Sequence, residues 1–175
     1  MKIKSLHIKG FRNFDDCEVE LDKHTLMVGE NDVGKSNLLH ALRLLFDPSL
    51  SSRDFELDES NFNVASRSSE ISITVKIVDA DEACLKSAFK SSRSDDGTVY
   101  IRFEAKKNDE YRFLTGPCLK ELQESKSRYY IQHLQMEYVG STRDLSTFLQ
   151  RQQNRLLTVA RSQRTDDEEQ EDRAA

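Results

Sequence analysis

The sequence predicts an α/β fold with a mixed sheet whose amino-terminal part is antiparallel and rich in strand. Three observations carry this prediction. Lys2–Ile8 and Cys17–Leu21 alternate apolar and polar residues on either side of a short break, as two half-buried antiparallel strands do. A glycine-bounded loop, Gly29–Ser36, lies between a short apolar run and an amphipathic segment. Ile71–Val78 then alternates again, with Ile71, Ile73, Val75 and Ile77 on one face.

Taken in order, the first strand carries Ile3, Leu6 and Ile8 and has an irregular step at Ser5. "GFRNF" breaks it, and Val19 and Leu21 mark the return strand. Thr25–Val28 is an apolar run suited to a strand buried on both sides. In Ser36–Phe46, Leu38, Leu39, Leu42, Leu45 and Phe46 recur at helical spacing, and Asp47 before Pro48 marks the stop. Pro48–Ser69, rich in serine, aspartate and asparagine, reads as a surface loop.

"DADEACLKSAFKSS" reads as a short helix capped by Asp79 or Asp81. Thr98–Ala105 and Tyr111–Leu114 form a hairpin around "KKNDE". Leu119–Lys126 reads as a short helix, Ile131–Val139 as containing a strand, and Asp144–Leu157 as a helix opened by its aspartate. The tail switches from four arginines in Arg151–Arg164 to six acids in "TDDEEQED", so residues 158–175 read as a charged, disordered tail.

The chain has 175 residues, 37% of them hydrophobic and 33% charged, with a formal charge of −5. That length suits one domain, and the charge gives no global argument for a nucleic-acid or membrane partner. No apolar run reaches the ~18–20 residues of a membrane span. Cys17, Cys84 and Cys118 are odd in number and unpaired in spacing, which argues against a disulfide framework or zinc site and for a reduced, cytoplasmic setting. Cys17 and Cys84 read as small core residues.

The chemistry lies in Gly29, Glu30, Asn31, Asp32, Val33, Gly34, Lys35 and Ser36, which fit the GxxxxGK[ST] phosphate-loop pattern. The glycines let the backbone curl so that successive amides point at phosphate oxygens. Lys35 reaches the β- and γ-phosphates as a point charge, and the Ser36 hydroxyl is a ligand for Mg²⁺. The helix that follows contributes its amino-terminal amides and dipole. ATP and Mg²⁺ are therefore the expected cofactors.

The stretch "IKSLHIKGFRNFDDCEVELDKHTLMVGENDVGKSNLLHALRLLFDP" resembles the amino terminus of the ABC-type ATPase heads of RecF-like, SMC-like and OLD (overcoming lysogenization defect) family proteins. "ALRLLFDP", a phenylalanine and an asparagine in the polar loop that follows, and "YVGSTRDL" are most similar to the OLD family of ATP-dependent endonucleases. The resemblance implies a P-loop NTPase of ABC-ATPase type, with residues 1–157 as the amino-terminal lobe of an incomplete domain. It also implies homo-oligomers formed through ATPase heads and DNA as a partner of the full-length protein, with no membrane partner. Asn31, Gly34, Lys35, Ser36 and Asn37 match positions that contact phosphates or metal in such heads. Arg12 matches an arginine that approaches the nucleotide; a surface arginine on a turn is the alternative. Gln132 or Gln135 is a candidate for the glutamine of a γ-phosphate-sensing loop, with Arg143 just beyond it. Asp144 reads as a helix cap.

Two functions follow from the resemblance. One is the ATP-binding lobe of an OLD-like endonuclease; the other is a RecF- or SMC-like ATP-gated DNA-binding head without nuclease chemistry. A small kinase fits the antiparallel strands before the loop less well. Hydrolysis in such heads requires an aspartate, usually followed by glutamate, after a strand of four apolar residues. "ITVKIVDADE" comes nearest, but Lys76 interrupts it. An ABC signature of the Ser-Gly-Gly kind and a Toprim acidic cluster are also not in this sequence. No catalytic residue is assigned, and the chain is expected to be incomplete for catalysis. The histidines, His7, His24, His40 and His133, show no metal-ligand spacing, and Tyr129 and Tyr130 read as packing residues.

Overall fold

A computed structural model of the chain describes residues 1–31, 33–65, 69–107, 111–125 and 127–139, together with Gln153 and Leu157. Met1–Tyr138 forms one unit; in the second, Val139–Ala175, Val139, Gln153 and Leu157 are described, the last two helical. Apart from those residues, the expected helix over 144–157, Arg143, Asp144 and the tail lie outside the described residues.

The first unit is built on a six-stranded sheet of β1 (Lys2–Phe11), β2 (Phe14–Glu20), β3 (Glu70–Val78), β4 (Val99–Lys106), β5 (Tyr111–Gly116) and β6 (Gln123–Ser125). The strand order is β2-β1-β3-β4-β5-β6, and every described pairing is antiparallel. This is the antiparallel, strand-rich part that the alternating segments predict. The irregular step at Ser5 is a register shift between Ile3 and Ser5 where β1 pairs with β3. The shift keeps Leu6 and Ile8 in the core beside Ile73 and Val75 while His7 and Lys9 face outward.

One face of the sheet is apolar. Leu6, Ile8, Ile71, Ile73, Val75, Ile77, Ile101 and Phe103 form a single buried cluster with helix α1 (Lys35–Phe46) and helix α2 (Ala83–Ala88). Leu38, Ala41, Leu44 and Leu45 of α1 are buried, while Leu39 and Leu42 are half-buried, so the helix is turned slightly from the stripe expected from its leucines. Full burial of a leucine contributes ~1.5–3 kcal/mol, so this face fixes the helix far more firmly than its intrinsic propensity could. The helix stops as expected: Asp47 takes extended backbone, and its N–H donates to the Arg43 carbonyl. Burial alone would raise the Asp47 carboxyl, but hydrogen bonds from Ser49 and Arg43 outweigh it and hold the group below the usual carboxylate range.

Several sequence expectations are corrected. Thr25–Val28 forms no strand; Leu26 and Val28 are 85% and 86% exposed. After β2 the chain leaves the sheet in a turn closed by Asp22 and Thr25, and among the described residues no strand pairs with the run; Met27 packs against the core from one side while Leu26 and Val28 face solvent. The polar stretch 48–69 is not only surface loop, because 3₁₀ turns at Ser52–Phe55 and Glu59–Asn61 deliver Phe55 and Phe62 into the core. The cap of α2 is Glu82 by backbone conformation rather than Asp79 or Asp81, and the Asp81 side chain pairs with Arg93 and Lys86 instead. Cys84 is exposed on that short helix, not a core residue.

Leu119–Lys126 is not helical. A Cβ on Gly116 would lie 2.3 Å from the Glu121 carbonyl oxygen, so glycine permits a tight return that lays Gln123–Ser125 beside β5. The strand expected within Ile131–Val139 is likewise absent. A 3₁₀ turn, Tyr129–Gln132, instead places Tyr130 in the core, where its hydroxyl donates to the Leu45 carbonyl at 3.1 Å and its ring stacks on Phe89. Arg128 lies over the Phe55 ring and donates to the Asp47 and Leu50 carbonyls. These contacts fasten the segment to the carboxyl end of α1. Tyr130→Phe is therefore expected to lower unfolding free energy by about 1 kcal/mol, measurable from the urea midpoint at unchanged slope.

Candidate functional site

The amino end of α1 is set by Gly34, which sits at φ 104° in left-handed backbone that a side chain rarely adopts. Leu38 N–H donates to the Gly34 carbonyl at 2.9 Å, so α-helical bonding begins there, while the amides of the first turn have no intrahelical acceptor. Gly29, Glu30, Asn31 and Val33 precede it on exposed backbone, and Asp32 lies outside the described residues. Lys35 turns back over the loop, its ammonium donating to the Gly29 carbonyl at 2.7 Å and to the Glu30 carbonyl. Ser36 is exposed at the same helix end. The structure thus brings the glycine curl, the lysine and the serine together, an arrangement whose donor set suits a polyphosphate and its cation.

Arg12 also belongs to this constellation. It occupies the turn between β1 and β2 at φ 50° and donates from Nη1 to the Asn37 side-chain oxygen at 2.9 Å. Nε and Nη2 donate to the Asn61 side-chain oxygen at 3.3 and 3.2 Å. Each terminal nitrogen retains a second N–H for another acceptor. Burial pushes the guanidinium below its usual pKa, opposed by Asp58.

Asn13 and Asn61 were not candidates from sequence. The available signal was "DESN", whose aspartate caps a 3₁₀ turn ending at Asn61. Gln132 and Gln135 are not brought to the loop. Their neighbour Met136 donates to the Phe46 carbonyl, one helix length of about 18 Å from the amino end of α1.

His40 lies one turn into α1, its ring 6.0 Å from that of Phe11. Burial, followed by the charges of Arg12 and Arg43 and opposed by Asp54, lowers its pKa from 6.5 to about 4. Between those values the unfolded chain binds the proton that the folded chain refuses, so the neutral imidazole's contribution is complete above pH 6.5 and is lost as pH falls toward 4. His40→Gln is expected to lose less stability than the parent between pH 6.5 and 4.5, as read from paired urea titrations.

Comparison with known proteins places the chain among ATPases. The family described as AAA ATPase domain matches residues 1–172. Endonuclease GajA of Bacillus cereus is 33% identical over 115 residues, covering 62% of this chain and 20% of the relative. The DNA replication and repair protein RecF of Synechococcus is 36% identical over 106 residues, covering 58% of this chain and 27% of the relative. The chain therefore spans a fifth to about a quarter of the length of these relatives.

A solved SMC ATPase structure, from work on ATP-driven dimerization and DNA-stimulated activation, superposes with TM-score 0.59 at 17% identity, covering 89% of this chain and 96% of that one. A RecF–ATP structure superposes with TM-score 0.51 at 21% identity, covering 74% and 30%. These likenesses are of fold, and they bear out the ABC-type ATPase head expected from the amino-terminal motifs. No helix among the described residues is long and apolar enough to cross a membrane.

Proposed function

The chain belongs to the AAA ATPase domain family, and on that premise we propose that it is the ATP-binding lobe of an OLD-like, ATP-dependent DNA endonuclease. The observation that carries nucleotide binding is the Gly29–Ser36 loop curled around Lys35 at the amino end of α1. In this reading the backbone of Gly29, Glu30, Asn31, Asp32, Val33 and Gly34 cradles the phosphates, and Lys35 leaves its loop carbonyls for the β- and γ-oxygens. Ser36 offers its hydroxyl to Mg²⁺, and Arg12 and Asn37 border the phosphates. Bound Mg·ATP supplies a cleavable phosphoanhydride and a charge that two lobes can close upon.

The likeness to GajA, an endonuclease by name, supports the nuclease assignment. The comparable likeness to RecF supports a second reading, an ATP-gated DNA-binding repair head without nuclease activity. Both readings entail homo-oligomerisation through ATPase heads and DNA engaged by the full-length protein in the cytoplasm. Plasmid cleavage by the full-length protein with Mg²⁺ favours the first; ATP-dependent DNA retention without cleavage favours the second.

Two outcomes test the shared core. Lys35→Ala is expected to reduce ATP affinity at least a hundredfold in equilibrium titration, and unchanged affinity refutes the site. The 175-residue chain alone is expected to turn over ATP negligibly, because its sequence lacks the acidic motif described above. Robust phosphate release by the pure chain contradicts that.

A further inference from the structure

The turn between β1 and β2 is held more closely than a hairpin requires. Arg12 N–H donates to the Asn61 carbonyl at 2.8 Å, the Asn63 side-chain amide donates to the Arg12 carbonyl at 2.8 Å, and Asn63 N–H donates to the Gly10 carbonyl at 2.8 Å. Asn61 and Asn63 therefore grip the turn by backbone and by the Asn63 side-chain amide, which accounts for a non-glycine residue at positive φ.

A side-chain relay runs through the same place. Asn61 Nδ2 donates to Asp58 Oδ1 at 2.7 Å, which turns the other end of that amide, Oδ1, toward the Arg12 guanidinium. Arg12 donates to Asn37, and Asn37 Nδ2 donates to Asn13 Oδ1 at 2.7 Å. Asn13 Nδ2 then donates to the Val33 carbonyl at 3.3 Å, inside the phosphate loop. A Cβ on Gly34 would lie 2.2 Å from that same nitrogen, so the Asn13 amide fills the space beside the loop's second glycine. The relay starts on the Glu59–Asn61 turn and ends on the loop carbonyl before Gly34.

We infer that Asn13 and Asn61 are positioning residues for nucleotide binding: Asn61, through Arg12 and Asn37, and Asn13, on the Val33 carbonyl itself, brace the phosphate loop where it enters α1. This rests on the ATP-binding reading above and extends it to two residues outside the motif. Loop amides converge on a phosphate only in one conformation, and an exposed loop held there in advance loses less conformational freedom on binding. The brace reaches the loop's carboxyl side and the first turn of α1, the two places from which the helix amides are aimed.

The test is titration of a fluorescent ATP analogue with Mg²⁺ into the purified protein. Asn61→Leu keeps the branched outline of the side chain and leaves the residue-61 backbone carbonyl on Arg12 N–H, but removes the side-chain oxygen that accepts from Arg12 Nε and Nη2. It and Asn13→Ala are each expected to weaken binding about tenfold, the scale of one hydrogen bond lost from the brace. Arg12→Ala combined with Asn61→Leu is expected to bind no more weakly than Arg12→Ala alone, a coupling that two independent structural defects do not produce.

Lys35→Ala separates the two levels. If it binds as the parent does, the nucleotide reading itself fails. If it loses binding while Asn13→Ala and Asn61→Leu retain parental affinity, or if Arg12 and Asn61 act additively, the brace is overturned and the site stands. Should Asn61→Leu fail to fold by circular dichroism, Asn13→Ala decides alone, since Asn13 is exposed and the space its amide leaves beside Gly34 opens to solvent rather than into the core.

Discussion

Burial of the apolar face of α1 against the antiparallel sheet is the constraint on which the rest of the structure depends. Leu38, Ala41, Leu44 and Leu45 share one core with Leu6 and Ile8 of β1, Ile73 and Val75 of β3 and Ile101 and Phe103 of β4. Because the helix can bury that face in only one rotation and depth, its amino end is fixed relative to the turn between β1 and β2. The phosphate loop inherits its position from a hydrophobic contact made several residues away. Without that contact a helix of 12 residues would be marginal in water.

The two ends of α1 are held by different chemistry. At the carboxyl end the contacts are largely apolar and aromatic: Tyr130 beneath Phe46 and Phe89, and Arg128 stacked on Phe55 while donating to the carbonyls that follow the helix. At the amino end the contacts are polar and partly exposed, passing through Asn61, Arg12, Asn37 and Asn13. Apolar packing at one end gives stability that does not depend on a ligand. Amides and a guanidinium at the other give direction, and each terminal guanidinium nitrogen keeps an N–H for an anion. His40, neutral because it is half-buried near two arginines, adds no further cation to that end at neutral pH.

How far the fold was legible follows from where its information is local. The strands β1, β2, β3, β4 and β5 are legible from the alternation of their residues, because a half-buried sheet imposes period two on each strand separately. The helix α1 was read from its leucines and the Asp-Pro stop, and the phosphate loop from glycines whose role is set by backbone sterics. Thr25–Val28, Leu119–Lys126 and Ile131–Val139 misled because short apolar or mixed runs take their structure from whatever lies beside them. Gln123–Ser125 is strand because β5 offers an edge, and Ile131 and Gln132 lie not in a strand but in a 3₁₀ turn that puts the Tyr130 hydroxyl on the Leu45 carbonyl.

The sequence alone determined the local chemistry of this protein: a GxxxxGK[ST] loop between apolar segments, the strand alternation of the sheet, and the resemblance of its first fifty or so residues to ATPase heads. Local rules suffice there because backbone sterics and side-chain period act within a few residues. Only the tertiary structure decided that Asn61 and Asn13 stand on either side of Arg12, that Gln135 lies toward the far end of α1, and that Leu26 and Val28 remain exposed. Those outcomes rest on hydrogen bonds and packing between residues far apart in sequence, from Asn61 and Arg12 at 49 positions to Met136 and Phe46 at 90. A linear reading carries no distance across such a separation, and folding supplies it.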